Sequence, residues 1–78
     1  MKNLYPKIYE ILRLTYDTME EDEIPLNDFL MFAQYNFFNE HGKEVNDFEI
    51  YAAFVTLQAE EVFRLTSDKM VCAGEQYE

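Results

Sequence analysis

Seventy-eight residues are enough for one domain with a thin core, since a chain of this size buries only about 60–65% of its unfolded surface. A net charge of −10 excludes nucleic acid and anionic membrane as direct partners, because both repel an acidic chain. The single cysteine, Cys72, excludes an intrachain disulfide and fits a reducing, cytoplasmic setting.

Glu10 and Arg13 interrupt the apolar residues near the start, so no secretory signal is visible. No apolar run approaches the ~20 residues of a membrane span. Seven Phe and six Tyr are more than a small core absorbs, so some are expected at an interface.

The first helix is predicted over Leu4–Thr18. Leu4, Ile8, Ile11, Leu12, Thr15 and Met19 recur at spacings of three and four and form one buried face, which Tyr5, Tyr9 and Tyr16 widen. Pro6 suits a first turn, with Asn3 as its cap. The charged run Glu20-Glu21-Asp22-Glu23 then interrupts the pattern, and Pro25 forces Ile24 into extended geometry.

A central helix follows from Asn27, its predicted cap, to Glu40-His41, with Gly42 as the left-handed residue beyond its end. Its apolar residues, Phe29, Leu30, Met31, Phe32, Ala33, Tyr35, Phe37 and Phe38, point in every direction. A helix apolar all round is either central to a core or shared between a core and a partner.

The third helix opens at Asn46, with Glu49 completing a capping box. Phe48, Tyr51, Ala52, Val55, Ala59 and Val62 form its expected inward stripe, with Ile50, Phe54 and Leu57 off it. It is predicted to reach Thr66, after which Ser67-Asp68 caps a short last turn or the helix runs on to Ala73, with Cys72 near its end. The start of the second helix, Leu26-Asn27-Asp28-Phe29, matches that of the third, Val45-Asn46-Asp47-Phe48, and reads as one capping solution used twice. No stretch alternates with period two, so the expected fold is all-α: a small three-helix bundle, alone or with a short fourth helix at the C-terminus.

Chemistry has little to work with. His41 and Cys72 are the only histidine and cysteine, too few for zinc and not spaced as a catalytic pair. Two glycines, Gly42 and Gly74, make no phosphate loop, and the acids lack the Ca²⁺-loop pattern. The expectation is a protein that is not an enzyme and carries no cofactor or metal.

The acids are unevenly placed. From Asp17 to Glu61 there are twelve acidic residues against one base, Lys43. Asp28 and Asp47 suit helix starts, yet the first helix ends in Asp17, Glu20, Glu21, Asp22 and Glu23, where each acid costs about 0.3–1 kcal/mol against the dipole. A local rule broken without local gain points to function. The expected partner-binding acids are Asp17, Glu20, Glu21, Asp22, Glu23, Glu40, Glu44, Glu60 and Glu61. The expected apolar interface is Tyr35, Phe38, Ile50, Phe54 and Leu57.

In size and composition the whole chain resembles the small acidic antagonists that phages and other mobile elements direct against host nucleases and defence complexes, such as anti-CRISPR and anti-restriction proteins. The resemblance implies a nucleic-acid mimic in the host cytoplasm, docked on a basic nucleic-acid-binding protein. Two alternatives share these features: a toxin-neutralising immunity protein, and a structural or adaptor homodimer joined through its aromatics.

Overall fold

Ile8, Ile11, Leu12, Thr15 and Tyr16 are all buried along one side of the first helix, α1 (Tyr5–Met19), as the three-and-four spacing requires. The structure is a computed structural model that describes residues 5–77, with the side chain of Tyr5 left out. The expected cap Asn3 and the first apolar position, Leu4, lie outside the described residues. Two elements follow α1: strand β1 (Ile24–Pro25) and helix α2 (Leu26–His41). Gly42 ends α2 with φ 68° and donates its N–H to the Phe38 carbonyl at 2.8 Å, the expected left-handed stop.

Asn27 does not cap α2. The helix starts one residue earlier, with Pro25 in the cap position and no side-chain cap bond. The Leu26 N–H donates instead to the Lys69 carbonyl at 3.1 Å, so a neighbouring hairpin satisfies a donor that a side chain would otherwise take. At helix α3 (Asp47–Ala59) the expectation holds: the Asn46 side chain accepts from the Glu49 N–H, and Glu49 accepts from the Asn46 N–H. The two similar helix starts therefore fold differently, and their aromatics diverge as well. Phe29 is fully buried, whereas Phe48 is 78% exposed.

The third helix stops at Ala59, well short of Thr66. Glu61 takes a left-handed conformation, φ 63°. Its N–H donates to the Gln58 carbonyl and the Val62 N–H to the Leu57 carbonyl, the paired bonds of a Schellman ending. The chain then forms strands β2 (Phe63–Leu65) and β3 (Met70–Ala73). Their loop closes through Lys69 N–H to the Thr66 carbonyl at 2.9 Å, with Lys69 left-handed at φ 61°.

These strands overturn the all-α, three-helix-bundle expectation, and no fourth helix forms among the described residues. The fold is α+β: three helices on an antiparallel sheet of order β1-β3-β2, with Ile24 opposite Val71 and Phe63 opposite Ala73. Cys72 lies in β3 opposite Arg64.

Phe63, expected on a helix tail, is the hub of the core. Its ring lies 5.4 Å from Phe29, 5.5 Å from Tyr16 and 5.9 Å from Phe54, centroid to centroid. Every helix thus packs an aromatic onto one strand residue, geometry in which rings attract beyond the area they bury. Between α1 and α2 the buried Thr15 hydroxyl donates to the Ile11 carbonyl at 2.7 Å and accepts from Asn36 Nδ2 at 2.9 Å, so this buried polar side chain is satisfied.

Candidate functional site

Helix α3 is turned the other way round from the sequence expectation. Ile50, Ala53, Phe54 and Leu57 are buried, while Phe48, Tyr51 and Val55 are exposed. Phe54 and Leu57 therefore belong to the core and are not available as an apolar interface, and Ile50 is buried as well, reaching the surface only in the lining of a groove. Both faces of α3 are apolar, so periodicity alone cannot choose between them. The choice is made by the α2–α3 connection. Gln34 Nε2 donates to the Val45 carbonyl at 3.0 Å and to Asp47 Oδ1 at 2.9 Å, Val45 is buried, and the helix start is fixed with Phe48 facing away.

Tyr35 and Phe38, the other two expected interface residues, are exposed at 64% and 48%. With Met31, also exposed, they recur at spacings of four and three on the side of α2 opposite the buried Phe29, Ala33 and Phe37. The central helix is thus two-faced, with one apolar stripe in the core and one outside. A groove between α2 and α3, about 450 Å³, is lined by Asn27, Leu30, Met31, Gln34, Asp47, Ile50 and Tyr51. A second depression, about 370 Å³, shares Met31 and Gln34 with the first and is otherwise lined by Tyr35, Phe38, Glu44 and Val45, between α2 and the segment that leads to α3. The charged side chain that lines each is an acid, Asp47 in the first and Glu44 in the second.

The predicted acids separate into two groups. Antiparallel pairing places the starts of β1 and β2 at the same end of the sheet, where β3 leaves it. Asp22 and Glu23, just before β1, and Glu60 and Glu61, just before β2, therefore share one end of the molecule. Asp17, Glu20 and Glu21 join them through the end of α1, and all seven are exposed. Glu40 lies elsewhere, beside Lys7, Glu10 and His41 near the C-terminal end of α2, and Glu44 lines the second depression. The nine acids are not one surface.

Aromatic contacts hold the acidic end together. Tyr16 donates to the Asp22 carbonyl at 2.8 Å, Tyr77 donates to the Asp17 carboxylate, and the two rings meet at 5.0 Å. The Gln76 N–H donates to the Glu61 carbonyl at 2.8 Å. Burial raises the pKa of both tyrosines; for Tyr77 the hydrogen bond to Asp17 and that carboxylate's charge raise it further. Glu20, at φ 53°, and Glu61 both occupy left-handed corners, where glycine is about 1 kcal/mol better than a residue with a side chain.

What the sequence missed is the outer face of α3 and its groove with α2: Leu30, Met31, Gln34, Asp47, Phe48, Tyr51 and Val55. The signal lay in the all-round apolarity of α2, which implied a second face without saying which helix it shared it with. Among the described residues no group of three or more His, Cys, Asp or Glu is placed to hold a metal ion. No helix among them is long and apolar enough to cross a membrane. No protein-family model, curated protein or solved structure matches the chain.

Proposed function

We propose that the protein is a small acidic inhibitor that docks on a basic nucleic-acid-binding protein and blocks its nucleic-acid site. The observation that carries this reading is an exposed aromatic face whose charged lining groups, Glu44 and Asp47, are both acidic. An apolar centre with a charged border is the anatomy of a protein interface, and an acidic border selects a basic partner. The seven acids at the end of the sheet add long-range attraction for such a partner and raise the encounter rate. A second copy of this chain is disfavoured as the occupant, because each copy carries a charge of −10 and like charges repel.

The test is capture of partners by the tagged protein from a nuclease-treated lysate, eluted with rising salt. The expected result is a basic nucleic-acid-binding protein that salt releases and that added DNA or RNA displaces. Recovery of only further copies of the bait would replace this reading with a homodimer.

A further inference from the structure

We propose that the outer face of α2, with the two depressions along it, receives an amphipathic, basic helical segment of the partner. This rests on the binding role proposed above and names the segment that is bound. Met31, Tyr35 and Phe38 are spaced four and then three residues apart on the outer side of α2 and are all exposed, the d–a–d rhythm by which one helix seats another. The stripe covers about two turns, with the depression that holds Asn27 and Tyr51 and the one that holds Glu44 and Val45 meeting at Met31 and Gln34. Leu30 of α2 and Tyr51 of α3 line the first depression beside Met31. Glu44 and Asp47 leave an entering helix two acids to meet, while Lys43, next to Glu44 in the chain, lines neither depression. The matching ligand therefore has leucine-like residues on one face and lysine or arginine on its flanks, the helix-in-groove mode of recognition.

The test titrates the ¹⁵N-labelled full chain with a synthetic leucine–lysine amphipathic peptide of about 18 residues, long enough to hold a helix once bound. A peptide with every lysine replaced by glutamate is the control. The expected result is saturable shifts at Met31, Gln34, Tyr35, Phe38 and Tyr51 with the lysine peptide and none with the glutamate peptide. Tyr35→Ala is expected to weaken binding about tenfold or more with an unchanged circular dichroism spectrum, since its ring is largely solvent-exposed. Glu44→Gln is expected to weaken it and flatten its salt dependence. Shifts confined to Glu20–Glu23 and Glu60–Glu61, or no groove shifts at millimolar peptide, would overturn the proposal. Groove signals that move with protein concentration alone would overturn it in favour of a second copy. If salt-released capture of a basic partner succeeds while the groove stays silent, the docking face lies elsewhere; if capture itself fails, the binding role falls.

Discussion

Tyr77 donates its hydroxyl hydrogen bond to Asp17, sixty residues earlier in the chain. The contact fastens the segment after β3 to the last turns of α1, and the Tyr77 ring also packs 5.8 Å from Phe63. The acidic end is therefore tied to the centre of the core, and its carboxylates are presented from a fixed frame.

The burial of two tyrosines at this end makes the protein sensitive to alkali. Tyr16 and Tyr77 both have pKa values raised above the ordinary 10.0 in the folded chain, chiefly by burial. The unfolded chain loses these protons near that ordinary value while the folded chain still holds them, so stability is complete below about pH 10 and falls as pH rises beyond it. Urea midpoints at about pH 8 and about pH 11 should show the loss. Tyr77→Phe should reduce the pH dependence and lower stability at neutral pH by about 1 kcal/mol through the lost hydrogen bond.

Glu61 and Gly74 should respond in opposite directions. Glu61 is left-handed, so Glu61→Gly is expected to stabilise by about 1 kcal/mol. A Cβ added at Gly74 would overlap the Glu61 carbonyl oxygen, so Gly74→Ala is expected to destabilise by about 1–3 kcal/mol. Thermal melts of the two variants check both signs.

The orientation of α3 is tested by a pair of alanines. Phe54 is fully buried and Phe48 is not. Phe54→Ala should cost about 3–5 kcal/mol, and Phe48→Ala should change stability by less than about 0.5 kcal/mol. The opposite ranking would restore the face that the stripe in the sequence suggested.

Neutralising Glu20, Glu21, Asp22 and Glu23 together, to Gln and Asn, separates charge from folding. No base occupies the last turn of α1, so removing these acids should leave the protein folded and slightly more stable. Its association rate with a captured partner should drop about tenfold at low salt. An unchanged rate would remove this end of the molecule from the binding reaction.

The helices were legible because their caps and spacing are local: the Asn46 box, the Gly42 stop and the buried face of α1 can all be read from adjacent residues. The sheet was not, for reasons visible in two side chains. Glu61 and Lys69 fill left-handed corners where glycine would have announced a break. Without that signal the sequence from Ala59 to Ala73 reads as continuing helix, and strands of two to four residues are too short to show alternation. The reversal of α3 has a different origin. Two apolar stripes on one helix are equivalent in sequence, and the bonds from Gln34 to Val45 and Asp47 that choose between them span eleven and thirteen residues. Of the candidate site, Tyr35, Phe38 and the acids before β1 and β2 were visible as exposed chemistry, whereas the groove beside them depends on which face of α3 turns inward.

The most direct measurement of the proposed role is competition. A labelled oligonucleotide is bound to the captured partner, and its fluorescence anisotropy is followed as this protein is added. Exclusion from a shared site predicts that the oligonucleotide is released as one protein binds per partner site, with weaker competition by the variant neutralised at Glu20–Glu23. Anisotropy that stays high while the protein binds the same partner would show the two ligands bound together and would contradict the inhibitor mechanism.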